Sequence, residues 1–298
     1  MSFSRNKRHS RAHDVLVRLA ALLPVRKRID WGTTLAVYWR TDFWGGGFEA
    51  IRKLSDISLD DLLEIDRQKE ELVTNTEQFC AGLPANNALL WGARGTGKSS
   101  LIQAILNHLH VRGLRLVQVE KSALSDLGQI MAQLHALPFR FLIVFDDLSF
   151  DEEDDAYKQL KSALEGSLFT SSTNALIYAT SNRRHLVSEY MRDNLTTTQS
   201  RGELHESEAV EEKISLSDRF GLWLSFHQFK QDQYLHVVEY WFKKLALDYD
   251  VKLNWTRHLR QEALTWALNR GVRSGRTANH FAKYTIGKAL LEISQTQQ

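Results

Sequence analysis

The sequence predicts an α/β protein in which helices cover both sides of a parallel sheet, followed by a purely helical C-terminal part. Three observations predict this fold class. From about residue 55 to residue 230, short apolar segments alternate with helical patterns, and such alternation is typical of parallel sheets. A glycine-rich loop lies between one apolar segment and the helix that follows it. Beyond about Gln231, only helical patterns occur.

Composition sets the broad class of the protein. The 298 residues can bury a substantial core, and the formal net charge of +2 gives no general electrostatic attraction to nucleic acid. The only cysteine, Cys80, excludes an internal disulfide and a cysteine-based zinc cluster. No apolar run reaches the roughly 18 residues of a membrane-spanning helix, and the basic N-terminus lacks the apolar core of a signal peptide. We therefore expect a cytoplasmic protein without an integral membrane segment.

Residues 1–55 differ in pattern from the rest of the chain. Residues 13–23 (HDVLVRLAALL) carry apolar side chains at helical spacing, and an aromatic-rich piece follows that ends at the glycines of residues 45–47. We interpret this part as a helical extension whose aromatic side chains pack on the main body. A module that docks a partner or lies on a membrane surface is the alternative interpretation.

The remaining elements follow in a regular order. A short capped turn and a long helix are predicted within residues 55–82, where Gly82 and Pro84 end the helix. Apolar strands are predicted at residues 86–92, 114–120, 139–147 and 174–182, and helices at residues 98–113, 122–137 and 157–168. The C-terminal helices are predicted at residues 231–250, 254–271 and 274–293.

The glycine-rich loop has the spacing of a phosphate-binding site. Residues 92–99, GARGTGKS, match G-x-x-x-x-G-K-S/T between a predicted strand and a predicted helix. Such a loop turns its backbone N–H groups toward one point, where the helix start adds its positive end. Lys98 would reach the β- and γ-phosphates of ATP, and the Ser99 hydroxyl would bind the bridging Mg²⁺. We predict nucleotide contacts from Gly92, Ala93, Arg94, Gly95, Thr96, Gly97, Lys98, Ser99 and Ser100.

Two acids follow the most apolar strand, FLIVFDD. Because the carboxyl ends of parallel strands form the ligand crevice, these acids would lie beside the phosphate loop. Asp146 would hold the hydration shell of Mg²⁺, and Asp147 would be the base that orients the attacking water. Acids in this position alternatively begin a helix, and the upstream loop favours the catalytic interpretation. The acidic run at residues 151–155 is interpreted as a helix start or a solvated face.

Further polar residues complete the candidate site. Asn182 ends the strand ALIYATSN, from which it would reach the γ-phosphate, although asparagine is also an ordinary turn residue. Arg219 precedes another apolar strand and would act at the γ-phosphate of a neighbouring subunit, with a surface salt bridge as the alternative. Of Arg273 and Arg276, at the start of the last helix, one would close over the nucleotide.

Taken together, these motifs resemble those of AAA+ ATPases, from about residue 55 to the end of the chain. NNALLWGARGTGKSSL, FDDLSF, YATSNRRHL and EKISLSDRFGLWLSF are similar to a bacterial family of predicted AAA+ ATPases catalogued as a domain of unknown function. The resemblance implies a P-loop AAA+ core over residues 56–230 and a helical lid over residues 231–298. It also implies Asn182 as sensor 1, Arg219 as arginine finger and Arg276 as sensor 2. SGRTANHF is also similar to the sensor 2 helix of the Holliday-junction branch-migration motors.

One position departs from the general AAA+ pattern, in which the second acid is glutamate. Asp147 is shorter by a methylene, so its carboxylate would be held further from the water and turnover would be slow. The bacterial replication initiators show a similar aspartate pair. The long loop at residues 183–213 contains His185, His205 and several glutamates, and we expect it to be solvated or to face a substrate rather than to bind a metal.

The leading interpretation is a homo-oligomeric ATPase that uses MgATP to remodel or load a macromolecular client. A protein is the favoured client. The alternatives are a slow-hydrolysing, ATP-dependent switch or adaptor, and a DNA-associated loader or motor that would use local groups of basic residues.

Overall fold

The centre of the fold is one sheet. The computed structural model describes residues 28–43, 45–149, 160–161, 164, 174–182 and 219–296. Within these residues the strands are β1 (Ala36–Asp42), β2 (Gly45–Ala50), β3 (Ala88–Gly92), β4 (Leu114–Gln118), β5 (Arg140–Phe145), β6 (Ala175–Ser181) and β7 (Leu222–Phe226). Their order across the sheet is β2-β1-β4-β5-β6-β3-β7, and every pair of neighbours is parallel except β1 and β2. The predicted parallel sheet is confirmed.

Helices alternate with the strands in the first part of the chain and follow one another after β7. They are α1 (Asp66–Cys80), α2 (Lys98–Leu109), α3 (Leu127–Leu134), α4 (Gln231–Asp248), α5 (Arg257–Asn269) and α6 (Gly275–Thr296). Short 3-10 helices lie at Leu59–Asp61, His110–Arg112 and Lys121–Asp126. The helix predicted at residues 157–168 lies largely outside the described residues. No helix in the described part of the chain is long and apolar enough to cross a membrane.

Strand β5 shows why the predicted strands carry apolar side chains on both faces. Phe141 and Ile143 pack with α3 in one buried cluster, whereas Leu142 and Val144 pack with α2 in another on the opposite face of the sheet. Each side chain of this size stabilises the fold by about 1.5–3 kcal/mol when it leaves water. A strand with helices on both faces therefore contains no polar face.

The aromatic-rich piece near the N-terminus differs from the predicted helical extension. Strands β1 and β2 pair antiparallel, and β1 adds them to the sheet beside β4. Trp39 is 2% exposed, its indole N–H donates to Asp126 at 2.9 Å, and its ring packs edge-on against Phe48. The expectation that aromatic side chains pack on the main body is confirmed for Trp39, but they do so from a strand, where cross-strand pairs stabilise aromatic residues. The helical pattern at residues 13–23 lies outside the described residues.

The topology brings the candidate motifs to one edge of the sheet. The strands β3, β5 and β6 are parallel neighbours, with β6 between the other two, so their carboxyl ends meet at this edge. The C-terminal helices reach the same edge, because the backbone N–H of Arg276 donates to the Gly95 carbonyl at 3.1 Å. The division into three domains, at residues 1–55, 56–230 and 231–298, stays a prediction.

Candidate active site

The glycine-rich loop has the backbone conformation that its sequence predicts. Gly92 has φ 128°, and a Cβ atom there would lie 2.0 Å from the carbonyl oxygen of Phe226 on β7, so only glycine fits. Gly97 has φ 108° and is the N-cap of α2, where it turns the chain from the loop into the helix. The first intrahelical bond runs from the Leu101 N–H to the Gly97 carbonyl, which leaves the amides of residues 98–100 directed at the loop. Such a helix start attracts anions.

Lys98 is nearly buried at the mouth of this loop. Its side chain donates to the carbonyls of Gly92 and Ala93, both at 2.8 Å, and to the amide oxygen of Asn182 at 3.2 Å. Burial lowers the pKa of Lys98, while the nearby carboxylates of Asp147 and Asp146 oppose this shift. The structure therefore brings together the lysine, both acids and the asparagine that the sequence predicts to act together.

Asp146 joins three elements. One of its carboxylate oxygens accepts from the Ser99 hydroxyl and from the Thr180 hydroxyl, each at 2.6 Å. Thr180 also accepts from the backbone N–H of Asp147 at 2.9 Å, so a single hydroxyl contacts both acids. Sequence reasoning missed Thr180. Its signal is a polar side chain two residues before Asn182, in a strand that is otherwise almost entirely apolar or small.

Asp147, at the position where the general AAA+ pattern has glutamate, adopts a backbone conformation that suits aspartate. Its φ is 55°, in the left-handed region where aspartate and asparagine occur several times more often than most residues. The Asn182 side-chain amide donates to its carboxylate, and the Arg94 guanidinium lies 3.8 Å from the other carboxylate oxygen. The second acid is thus oriented by two residues of the predicted site.

The residues around Asp146 fit a magnesium ion. Ser99, Asp146 and Thr180 offer only oxygen atoms, which this hard cation prefers, and Mg²⁺ bound with substrate phosphates needs only one or two protein ligands. Among the described residues, no group of three or more His, Cys, Asp or Glu side chains would hold a metal by itself. Ser99 and Asp146 are the residues that would hold such a cation.

A cleft of about 760 Å³ opens from the loop toward the C-terminal helices. Lys98 and Ser99 of the phosphate loop line it, as do residues of the segment before α1 and of α4. Arg276 lines this cleft, whereas Arg273 lines a second groove. Of the two predicted arginines, the structure therefore brings Arg276 to the site.

Arg219 lies away from its own phosphate loop. It precedes the amino end of β7, where Leu222 pairs with Ala88 of β3, whereas the loop follows the carboxyl end of β3. A role within its own site is excluded by this placement, and a role in a neighbouring subunit stays a prediction. The loop at residues 183–213 and the acidic run at residues 151–155 lie outside the described residues.

A phosphate loop after β3, two acids after β5, a polar tip on β6 and a helical part over the cleft together define the fold of AAA+ P-loop ATPases. Within this class, the chain belongs to the family described as protein of unknown function (DUF815), whose model matches residues 32–289.

Solved structures with this fold resemble the chain. Aeropyrum pernix ORC1 in complex with DNA is 15% identical, over 81% of this chain and 65% of that one, with a TM-score of 0.51. The replication initiator DnaA bound to AMPPCP and single-stranded DNA is 15% identical, over 80% and 67% of the two chains, with a TM-score of 0.50. A mutant of Thermotoga maritima RuvB is 18% identical, over 76% and 64%, with a TM-score of 0.50.

Identities this low show a shared fold alone. The chain spans less than two thirds of the ORC1 chain and of this RuvB chain. None of the curated proteins matches the sequence significantly.

Proposed function

We propose that the protein binds MgATP and hydrolyses it to remodel or load a macromolecular client. The observation that carries this proposal is the convergence of the Ser99 and Thr180 hydroxyls on one oxygen of Asp146, next to the phosphate loop and Lys98. In a parallel sheet this edge is where ligands bind. A cytoplasmic location, supported by the single cysteine, is part of the proposal.

Each residue of the site has a role in this reaction. The loop amides and Lys98 bind the phosphates, and Ser99 and Asp146 are the residues that would hold the metal ion. When bound, Mg²⁺ would supply Lewis-acid chemistry, neutralising the negative charge that develops on the phosphates during transfer. Asp147 orients the attacking water and accepts its proton, with its carboxylate aimed by the Asn182 amide.

The proposed enzyme works as a homo-oligomer. Arg219 lies near the amino ends of the strands, whereas its own phosphate loop lies at their carboxyl ends. A site between two protomers would place it at the neighbour's γ-phosphate. Arg276 lines the cleft from the helical lid, so that hydrolysis would change the position of the lid relative to the core.

We propose a protein client, because the net charge of +2 gives the whole molecule little attraction for nucleic acid. ORC1 and DnaA, which share the fold, are bound to DNA in their structures, and a DNA client is the alternative. ATP hydrolysis that DNA stimulates, and that loses this stimulation as salt rises, would favour the alternative.

The first experiment measures ATP hydrolysis across a concentration series, with light scattering to follow assembly and Lys98→Ala as the blank. A rate per protomer that rises with assembly supports a composite active site. Hydrolysis equal to the blank, together with no binding of ATP, contradicts the proposal.

A second candidate is an ATP-dependent switch that hydrolyses very slowly. It is favoured by the short Asp147 side chain, which already contacts the Asn182 amide and lies near Arg94. Tight ATP binding with turnover near the blank, in the assembled protein, would decide for the switch.

A further inference from the structure

Two acidic residues just before α1 bind one face of α4. Asp61 accepts hydrogen bonds from the Tyr240 hydroxyl, at 2.6 Å, and from the Lys244 ammonium group. The Glu64 carboxylate lies 2.7 Å from Nδ1 of His236. The α4 residues recur every four positions and therefore share one face of the helix. We call the set Asp61, Glu64, His236, Tyr240 and Lys244 the clasp.

Asp61 is the centre of the clasp. It is 3% exposed, and its second carboxylate oxygen accepts from the backbone N–H of Ser58 at 2.8 Å and the Ser58 hydroxyl at 2.9 Å. Burial raises the pKa of Asp61, but the bonds from Lys244, Tyr240 and Ser58 outweigh burial, so the pKa lies below its ordinary value. A buried carboxylate with four donors is charged and firmly held.

The clasp lies at the same cleft as the phosphate loop. Asp61 and Lys244 both line the cleft, together with two apolar pairs, Leu62 with Ile65 and Trp241 with Leu245. The first pair belongs to the segment before α1, and the second belongs to α4. These walls are apolar, with an indole on one side, as suits a flat aromatic base.

The position of α4 sets the spacing of the two walls, and the clasp fixes that position. Tyr240 and Lys244 flank Trp241 in sequence and in space: Tyr240 packs edge-on against its ring at 5.5 Å, and the Lys244 ammonium lies 5.4 Å from the ring centroid. The two side chains that bind Asp61 are thus the neighbours of the indole that lines the cleft.

We propose that the clasp holds α4 at the spacing that receives the base of a nucleoside triphosphate, with Asp61 as its positioning residue. This inference rests on the proposed function, because it takes ATP as the ligand. On this proposal, the clasp contributes to the affinity for the base of ATP and not to the affinity for its phosphates.

The test compares two ligands on the full chain by calorimetry, MgATP and magnesium tripolyphosphate, of which only ATP carries a base. We expect Asp61→Asn and Lys244→Met each to raise the Kd for ATP by about tenfold, because each removes about one charge-assisted hydrogen bond of the clasp. The Kd for tripolyphosphate should change by less than about twofold. Tyr240→Phe, which removes one hydroxyl, is the milder variant should the others fold poorly.

Lys243→Met is the matched control. Lys243 is the neighbour of Lys244 on α4, but it pairs with Glu239 at 2.7 Å and is 67% exposed. This variant should bind both ligands as the wild type does. Melting curves of all variants report stability separately from ligand preference.

The outcomes separate the inference from the function on which it rests. A selective loss of ATP affinity in the clasp variants supports the clasp. Equal weakening of both ligands, or unchanged ATP affinity, overturns it while MgATP binding by the wild type still stands. If the wild-type protein binds neither ligand, the proposed function itself is contradicted.

Discussion

Ser99 Oγ lies 2.6 Å from Asp146 Oδ1, although the two residues are 47 positions apart in the chain. Ser99 follows β3 through the phosphate loop and Asp146 follows β5, and β6 lies between these two strands, where its Thr180 donates to the same oxygen. The carboxyl ends of three parallel strands thus bring one small oxygen cluster together at the mouth of the phosphate loop. This cluster carries the proposal of a magnesium-dependent ATPase.

Removing the Ser99 hydroxyl tests this cluster. With Ser99→Ala, we expect turnover to fall about a hundredfold, with about tenfold more Mg²⁺ needed for half-maximal hydrolysis, because one metal ligand is lost. Hydrolysis measured against Mg²⁺ concentration gives both values. Ser99→Thr keeps the hydroxyl and should stay close to wild type; if alanine does the same, Ser99 is not a metal ligand.

Asp147→Asn separates binding from hydrolysis. Asparagine tolerates the left-handed backbone at this position, so the variant should fold and bind ATP within about threefold of the wild type. Because the amide cannot accept the proton of the attacking water, turnover should fall by about 100-fold or more. Turnover at half the wild-type rate would show that Asp147 is not the base.

Arg219→Ala tests the composite site. We expect normal ATP binding and turnover lowered by about a thousandfold, because the arginine acts on the neighbour's phosphate. Mixing this variant with Lys98→Ala should restore part of the activity, since one partner supplies an intact loop and the other an intact arginine. Wild-type turnover of Arg219→Ala on its own would show that the finger assignment is wrong.

The two arginines near the start of α6 form a matched pair. Arg276 lines the cleft and Arg273 lines a separate groove, so Arg276→Ala should weaken ATP binding by about tenfold and Arg273→Ala by less than about twofold. Direct titration with ATP checks both. The opposite ranking would exclude Arg276 as the sensor 2 residue.

The clasp predicts a dependence of stability on pH. Hydrogen bonds hold the pKa of Asp61 below its ordinary value, so its charged form stabilises the folded state. This contribution is fully present above the unfolded pKa of about 3.9 and is lost as pH falls through the lower folded pKa. The difference in unfolding free energy between wild type and Asp61→Asn should therefore be largest near neutral pH and shrink in acid. Denaturant titrations at several pH values measure it, and a constant difference would contradict it.

Local spacing in the sequence predicted much of the site. The loop from Gly92 to Ser99 and the two acids after β5 are each short, continuous motifs. The periodicity of apolar residues predicts the strand or helix beside each motif. Because parallel strands place their carboxyl ends at one edge, the convergence of Lys98, Asp146 and Asn182 also followed from the sequence.

Only the tertiary structure decided the features that depend on distant residues. Asp61 and Lys244 are 183 positions apart, and no local pattern marks them as partners. The role of Thr180 depends on β6 lying between β5 and β3, and the choice of Arg276 over Arg273 depends on how α6 packs against the loop. The physical reason is the same in each case: periodicity and turn chemistry are local properties of the chain, whereas a hydrogen bond between distant segments depends on packing that no short stretch encodes.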